Sequence, residues 1–343
     1  MNLTIIDINN ESLELLKILY KNNIPENFKI KYVNDNYLML KFNKKFDLII
    51  GNPPFTKINK IKKVKYQNLH QYSVNLKNLA GLFLEKSLLE ADNISLIMPK
   101  NLLNTPEYQE TRNLLVNFNI SSIIDFGEKG FDDILIETIN ITISKCIIDR
   151  IYIKSLPKKQ ENYQFRDYIF SKELPYWVIY RDEFFDFVYK KMEFDIFKVF
   201  RDRQITNSIL INNKQNTIRV LKSKNIDDSG KSISEIENYD SYILDVVAKK
   251  LDVYKYLDYE NAYLTPNMTY KPRLISKPKG YLTNGSVAIL IPKNNLKLND
   301  KQKEYISTDE FRKFYHIARN YQTRSINIDS SSVFWFGKNK ELN

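Results

Sequence analysis

The chain has 343 residues, of which 43% are apolar and 13% aromatic, enough to bury a sizeable core and to form two domains. A single cysteine, Cys146, excludes a disulfide framework and a cysteine-based zinc site, and the two histidines, His70 and His316, are too far apart for HExxH spacing. Since no signal-peptide pattern and no apolar stretch of membrane-spanning length occurs, we expect a cytoplasmic protein with no metal and no membrane contact.

The charge of the chain points to a polyanionic partner. The formal net charge is +11 and the isoelectric point is about 9.2, which is typical of proteins that bind nucleic acid. An alternative is that an AT-rich genome produces this Lys-, Asn-, Ile- and Tyr-rich composition by itself. The high aromatic content favours the functional interpretation, because sites for nucleic acid use both basic and aromatic side chains.

Strands and helices alternate along the first part of the chain. Short apolar runs predict strands at 3–8, 28–34, 46–51, 94–99 and 120–127, and an alternating segment predicts an antiparallel strand at 137–148. Helical spacing predicts helices at 10–22, 79–91 and 107–118, the first with Asn10 as its N-cap. This order predicts an α/β fold with a partial doubly wound, Rossmann-like, mostly parallel sheet.

The pattern changes near residue 150. The segment "SLPKKQENYQ" at 155–164 is polar and predicts a linker or surface loop. Beyond it the segments are short, aromatic and irregular, with helices predicted near 182–194 and 308–320. We therefore expect a first domain at 1–155 and a mixed α+β domain at 165–343.

Polar residues follow three successive predicted strands. Asp7 closes the first strand, Asp35 follows the second and Asn52 follows the third. Ligands of open α/β sheets bind at the carboxyl ends of strands, where an acid accepts hydrogen bonds from ribose hydroxyls. A single strand-end aspartate more often serves as an N-cap or turn residue. Its recurrence at successive strand ends favours a nucleotide site.

The stretch "FDLIIGNPPFTKINK" places a stiff polar turn directly after a buried strand. Pro53 and Pro54 lack a backbone N–H and have a fixed φ, so the chain after Asn52 is rigid and extended. The Asn52 side-chain carbonyl and the Pro53 backbone carbonyl can accept from one amino group, while Phe55 stacks on the ring that carries it. This arrangement makes an aryl amine nucleophilic without a charged base. The alternative is a simple Pro-Pro turn with a packed aromatic residue.

On this "NPPF" stretch the chain resembles the adenine-N6 DNA methyltransferases of the TaqI-like and type IIG group, whose motif is (D/N)-P-P-(Y/F/W) after a strand. The resemblance spans residues 3 to 145. It implies S-adenosylmethionine as methyl donor, a flipped adenine as acceptor and catalytic roles for Asn52, Pro53, Pro54 and Phe55.

The flanking segments also resemble that family. "TIIDIN" is similar to the motif with the ribose-binding acid, which implies that Asp7 binds the ribose and Ile8 packs on the cofactor adenine. "NDNYL" is similar to the motif whose acid, here Asp35, meets the adenine amino group. "FGEKGFDDILIETINITI" resembles a later loop and strand pair, which implies that Phe131 lies near the flipped base.

One departure from the family pattern concerns a glycine-rich loop and its strand, which in the family lie about two strands before "NPPF". Here the first glycine is Gly51. The loop would hold the methionine end of the cofactor, and its strand would lie in the centre of the sheet. Three explanations remain open: a companion polypeptide supplies the segment, the chain is a truncated remnant, or it is a partial piece of a longer protein.

The second domain resembles, more loosely, the target-recognition region of the same enzymes, and some of its residues suit base reading, because Arg pairs with guanine and Asn or Gln with adenine. Our candidate DNA-contacting residues are Lys57, Arg201, Arg203, Gln204, Arg273, Arg324 and Asn327. For any one of them, a phosphate contact or simple solvation is the alternative.

Three functions follow. The first is a sequence-specific DNA adenine-N6 methyltransferase, or a subunit of one, in a restriction-modification system with double-stranded DNA as partner and a possible associated restriction endonuclease. The second is a catalytically inactive DNA-binding remnant or specificity subunit. The third is a methyltransferase for an RNA or protein amine, because the same acceptor turn suits a glutamine side chain. The large basic, aromatic second domain favours the first.

Overall fold

The computed structural model describes residues 1–343 except 22, 26, 60, 61, 63, 67–72, 74, 131–135, 324–326 and 343. The chain divides into two compact units. Unit 1 comprises Met1–Leu102, Glu107–Asp132 and Thr138–Tyr163. Unit 2 comprises Leu103–Pro106, Asp133–Glu137 and Gln164–Asn343.

Unit 1 alternates strands and helices in its first half and ends in consecutive strands. Its elements are β1 (Asn2–Asp7), α1 (Asn10–Tyr20), β2 (Lys29–Asn34), β3 (Phe46–Gly51), α2 (Leu79–Glu90), β4 (Ala91–Pro99), α3 (Gln109–Leu115), β5 (Asn119–Gly127), β6 (Thr138–Ser144), β7 (Arg150–Ser155) and β8 (Gln160–Phe165). The predicted α/β class is confirmed.

The strands of unit 1 form two separate sheets. β1 pairs in parallel with β2, with Asp7 opposite Asn34, in a two-stranded sheet. The other six strands form one mixed sheet in the order β3-β4-β6-β5-β7-β8. Its core consists of apolar residues that alternate along β4, β5 and β6, among them Leu96, Ile123 and Ile141, which are almost fully buried.

The direction of each strand determines which ends share an edge of the six-stranded sheet. β3 runs parallel to β4, while β6 runs antiparallel to both β4 and β5, as the sequence predicted for the strand at 137–148. β7 runs parallel to β5. The carboxyl ends of β3, β4, β5 and β7 therefore lie along one edge, which we call the carboxyl edge.

Two local predictions for unit 1 were wrong. The segment 155–164 is not a linker: it is the turn and most of the second strand of the hairpin β7–β8, which completes the six-stranded sheet. The N-cap of α1 is Asn9 rather than Asn10, because the Asn9 side chain accepts hydrogen bonds from the backbone N–H groups of Glu11 and Ser12.

Unit 2 is a mixed α+β body with short strands. Its elements are α4 (Arg166–Ile169), α5 (Glu183–Lys191), β9 (Met192–Glu193), β10 (Phe197–Phe200), β11 (Thr217–Leu221), β12 (Ser241–Leu244), α6 (Asp245–Ala248), β13 (Tyr263–Pro266), β14 (Ile275–Ser276), β15 (Tyr281–Thr283), β16 (Val287–Pro292), α7 (Asp300–Tyr305), α8 (Asp309–Ala318) and β17 (Lys338–Asn339). Its sheets have the orders β10-β16-β13-β14, β12-β11-β15 and β17-β9.

Unit 2 has an aliphatic cluster, which includes Val220, Leu264 and Ile289, and an aromatic one. Phe185 of α5 stacks on Phe314 of α8 with ring centroids 4.8 Å apart, and Trp335 packs edge-on against both rings. The Trp335 indole N–H donates to the hydroxyl of Tyr176 over 2.5 Å, so its polar group is satisfied although the side chain is buried. These rings pack α5 against α8.

No helix in the part of the chain that the structure describes is long and apolar enough to cross a membrane.

Candidate active site

Asp7 and Asp35 lie next to each other at the carboxyl ends of β1 and β2. The backbone N–H of Asp35 donates to the carbonyl of Asp7 over 3.1 Å, and the Asn34 side chain donates to the carbonyls of Asp7 and Ile8. The parallel register brings these two acids together although 27 residues separate them in sequence. The sequence predicted Asp7, Asp35 and Asn52 at the ends of successive strands of one sheet. The two acids do share one end of a sheet, but β3, which precedes Asn52, belongs to the six-stranded sheet instead.

Each of the two aspartates holds its own turn with only one carboxylate oxygen. Asp7 Oδ1 accepts from the backbone N–H of Asn9 over 2.7 Å, and Asp35 Oδ1 accepts from the N–H of Asn36 over 2.6 Å. Among the described residues neither Oδ2 has a hydrogen-bond partner, and both side chains are exposed. Two free acceptors at adjacent strand ends suit the hydroxyl and amino donors of a nucleoside.

The Asn52–Phe55 turn follows β3 directly at the carboxyl edge. Asn52 is exposed, Pro53 is buried, Pro54 is exposed and Phe55 is half-buried. The Asn52 side-chain amide has no hydrogen-bond partner among the described residues. Such an amide at a strand end is available to a ligand.

The chain just after Phe55 is held by backbone contacts with residues 77 and 78. Lys57 pairs with Asn78 in an isolated antiparallel bridge, and the N–H of Ile58 donates to the carbonyl of Lys77 over 2.9 Å. Asn78 also caps α2, because its Oδ1 accepts from the N–H of Gly81 over 3.0 Å and from the Tyr108 hydroxyl over 2.8 Å. Burial raises the pKa of Tyr108 well above its usual range, so this hydroxyl remains a donor. The turn is therefore held on a rigid support.

A buried ion pair lies at the same carboxyl edge, and our sequence reasoning missed it. Lys100, which follows β4, places its Nζ 2.7 Å from Oδ2 of Asp125 near the end of β5, and their side chains are only 2% and 1% exposed. Asp125 Oδ1 also accepts from the N–H of Gly127 over 2.9 Å. Asp125 is a strand-end acid like Asp7, and the same rule could have singled it out.

Backbone geometry next to this pair requires a glycine. Gly127 has φ +62°, and a Cβ at that position would lie 2.4 Å from Cγ of Pro157. Nearby, burial and the charge of Lys100 lower the pKa of Lys158. This end of the sheet is thus closely packed around a small group of charged side chains.

The predicted DNA-contacting residues of unit 2 fall into two classes. Arg203 and Gln204 are exposed, and the Gln204 Oε1 accepts from the N–H of Asp252 over 2.9 Å. Arg201 is half-buried, and its Nη1 donates to Oδ1 of Asn267 and of Asn327 over 2.9 and 2.8 Å. Arg201 and Asn327 therefore hold each other inside the unit.

Arg273 belongs to the interior of unit 2. Its side chain is buried, and its guanidinium donates to the backbone carbonyls of Ile226, Lys271 and Ser223. Burial lowers the pKa of Arg273. This geometry gives Arg273 a role in closing loops onto each other inside the unit.

The remaining predicted residues are placed as follows. Lys57 and Ile8 are exposed, Ile8 by 75% of its surface. Phe131 and Arg324 lie outside the described residues, so their predicted contacts with the flipped base and with DNA remain predictions. In the part of the chain that the structure covers, no group of three or more His, Cys, Asp or Glu side chains is arranged to hold a metal ion.

Comparison with solved structures relates this geometry to known proteins. The type IIL restriction-modification enzyme MmeI, solved in complex with DNA, matches with a TM-score of 0.60 and 11% identity over 94% of this chain and 51% of that chain. The type IIG restriction endonuclease BpuSI matches with a TM-score of 0.47 and 12% identity over 98% of this chain and 52% of that chain. The chain thus spans about half the length of these two proteins, and it shares the fold of MmeI.

Comparison by sequence gives one family. No curated protein matches the chain. The model of one protein family, described as Eco57I restriction-modification methylase, matches residues 2–131, which include Asp7, Asp35 and the Asn52–Phe55 turn. Over this part the chain is similar to the Eco57I restriction-modification methylases.

Proposed function

We propose that this chain is the methyltransferase component of a restriction-modification system and methylates N6 of an adenine flipped out of double-stranded DNA. The observation that carries the proposal is the Asn52–Phe55 turn, whose amide is open at the carboxyl end of β3. The sequence similarity of residues 2–131 to restriction-modification methylases supports it.

The turn suits the activation of an aryl amine. The lone pair of adenine N6 is delocalised into the ring, so the amine is a weak nucleophile. The Asn52 Oδ1 and the Pro53 carbonyl accept the two N6 hydrogens and draw the nitrogen toward tetrahedral geometry. With S-adenosylmethionine bound, N6 would take the methyl group from the sulfonium sulfur, which would leave as a thioether, and N6 would release one proton to solvent. Phe55 stacks on the flipped base.

S-adenosylmethionine supplies the electrophilic methyl group of a sulfonium. Its nucleoside end fits the strand ends of β1 and β2, because the free Oδ2 atoms of Asp7 and Asp35 are acceptors for the ribose hydroxyls and the adenine amino group. Ile8, exposed by 75% beside Asp7, offers an apolar surface for the adenine ring. These residues position the cofactor, and the Asn52–Phe55 turn positions the acceptor.

Unit 2 and the lysines after the turn are proposed to hold the DNA. The net charge of +11 favours a phosphate backbone as partner. The exposed Arg203 and Gln204 can reach base edges or phosphates, and Lys57 lies five residues after Asn52, where it can contact the strand next to the flipped base. A large basic unit is better suited to binding duplex DNA than to binding a protein that carries the acceptor amine.

The methylated base identifies the reaction. The chain is expressed in a methylation-free host together with the polypeptides encoded beside it, and the host DNA is sequenced for modified bases. We expect N6-methyladenine at one short sequence and its loss in Asn52→Ala. Asn117→Ala is the matched control, since Asn117 precedes β5 and so lies at the opposite edge of the sheet. Modified cytosine, or methyl groups on RNA or protein alone, would overturn the proposal, and an unmodified host would favour a DNA-binding remnant.

A further inference from the structure

Residues 56–58, which directly follow the Asn52–Phe55 turn, pair with residues 77–79, which lead into α2. Besides the contacts described above, the N–H of Leu79 donates to the carbonyl of Thr56 over 3.0 Å, so the two segments are joined on both sides of their antiparallel bridge. Because Thr56 is covalently bonded to the last residue of the turn, the place of the turn depends on the place of residues 77–79.

A single carboxylate oxygen, Oε1 of Glu107, holds residues 77 and 78. It accepts from the backbone N–H of Lys77 over 3.0 Å and from the side-chain Nδ2 of Asn78 over 2.8 Å. Asn78 is buried, and its Oδ1 accepts from the N–H of Gly81 and from the hydroxyl of Tyr108. Glu107 therefore fixes one backbone donor and one buried amide, and its removal would take an acceptor from both.

A second glutamate contacts the same stretch of chain at a residue that does not touch the segment after the turn. Glu110 accepts from the Nδ2 of Asn75 over 2.9 Å and from its backbone N–H over 3.4 Å. Among the described residues, the hydrogen bonds to residues 56–58 in this pairing come from residues 77–79 and not from Asn75. Glu107 and Glu110 thus hold one loop in similar ways, but only Glu107 contacts the residues that are paired with the segment after the turn.

We propose that Glu107 is a positioning residue for methyl transfer. It fixes residues 77 and 78, these hold residues 56–58, and these in turn set the places of the Asn52 Oδ1 and the Pro53 carbonyl relative to the acceptor amine. Glu107 acts through these residues and does not itself contact the substrate. A misplacement of about 1 Å can lower a rate about 100-fold. This assignment rests on the proposed function, because it gives Glu107 a part in that reaction.

The alternative is that Glu107 only stabilises the fold. Three substitutions separate the two roles. Glu107→Ala removes the acceptor, whereas Glu107→Gln removes the charge but keeps a side-chain oxygen that can accept both hydrogen bonds. Glu110→Ala is the matched control, because it removes a glutamate from the same loop and leaves the contacts of residues 77 and 78 intact. A role in stability alone predicts no difference in rate between folded variants.

The test measures the single-turnover rate of methyl transfer and the dissociation constant for a duplex that carries the methylated sequence. Glu107→Ala should lower the rate about tenfold or more and leave the dissociation constant within about twofold. Glu107→Gln should restore the rate, and Glu110→Ala should leave it unchanged. Thermal unfolding checks that each variant is folded at the assay temperature. Glu107→Asp, which shortens the side chain by one methylene, is measured as well, so that the test does not depend on the folding of Glu107→Ala.

Hydrogen exchange tests the positioning itself, without methyl transfer. In the protein free of DNA, the backbone amides of residues 56–59 and 76–80 should exchange about tenfold faster in Glu107→Ala than in the unsubstituted protein. In Glu107→Gln and Glu110→Ala the amides of residues 56–59 should exchange as they do in the unsubstituted protein.

Several results would overturn the role of Glu107. They are an unchanged rate in folded Glu107→Ala, an equal loss of rate in Glu110→Ala, a slow Glu107→Gln variant, or unchanged exchange at residues 56–59. In each of these cases the unsubstituted protein still methylates DNA, so the proposed function stands. Failure of the proposed function looks different: the unsubstituted protein leaves DNA unmethylated, while residues 56–59 still exchange faster in Glu107→Ala. That result removes the part of Glu107 in methyl transfer and keeps only its hold on the turn.

Discussion

The Asn52–Phe55 turn of unit 1 and the polar residues of unit 2 use similar side chains in opposite ways. Asn52 is exposed and its amide has no partner among the described residues. Asn327 and Asn267 of unit 2 both bond the guanidinium of Arg201, and Asn267 Nδ2 donates to Asn327 Oδ1 over 2.7 Å. The residue type alone does not distinguish a ligand-binding amide from a structural one. The distinction lies in whether other groups of the protein already form hydrogen bonds with the side chain.

From this comparison we expect that substituting polar side chains with hydrogen-bond partners inside the protein lowers stability. Substituting polar side chains that lack such partners should lower activity instead. The largest effect on stability is expected for Lys100→Met, which leaves the buried Asp125 carboxylate without its cation. We expect a loss of about 3–5 kcal/mol in the free energy of unfolding, measured by urea titration. Lys145→Met is the matched control, because Lys145 is exposed in its ion pair with Asp92 and its loss should change the free energy of unfolding far less. Similar losses in the two variants would contradict the distinction.

The next largest effect on stability distinguishes Arg273 from Arg203, two arginines of unit 2. Arg273→Met removes the donor to three backbone carbonyls, of which that of Ile226 is buried, and should lower the free energy of unfolding by about 2–3 kcal/mol. Arg203→Met should change stability by less than about 0.5 kcal/mol, because Arg203 is exposed. In DNA-binding titrations at several salt concentrations, the Arg203 variant should bind less tightly, with the salt slope reduced by about 1. A stable Arg273 variant with weak DNA binding would reverse these assignments.

A further effect, on binding of the base and not on stability, is expected at Phe55, which is half-buried next to the Asn52–Pro54 stretch. Phe55→Ala should weaken retention of the flipped base by about 1–3 kcal/mol, the usual value of stacking between an aromatic side chain and a base. With 2-aminopurine at the target position, the fluorescence of the complex should change relative to that of the unsubstituted protein. An unchanged signal would mean that Phe55 packs within the protein instead of on the base.

The sequence predicted the features that depend on neighbouring residues. Strands β1 to β6 were predicted to within a few residues because each is a short apolar or alternating run. Asp7 and Asp35 could be placed together because parallel strands share an edge.

The features that the sequence did not predict depend on tertiary packing. Lys100 and Asp125 are 25 residues apart and pair only because β4 and β5 end at one edge. The burial of Arg273 depends on carbonyls near residue 226, on another loop. The hairpin β7–β8 was missed because its polar segment resembles a linker until it pairs within the sheet.

The central claim is that the open amide of Asn52 acts on the reacting amine and not on DNA affinity. The most direct test measures two quantities for Asn52→Ala in the complete complex that methylates DNA: the single-turnover rate of methyl transfer to a target duplex and the dissociation constant for that duplex. We predict a rate lower by at least about 100-fold, the scale seen when one positioned transition-state contact is removed, with a dissociation constant within about twofold, because phosphate contacts dominate affinity. An unchanged rate, or equal losses of rate and affinity, would contradict the account.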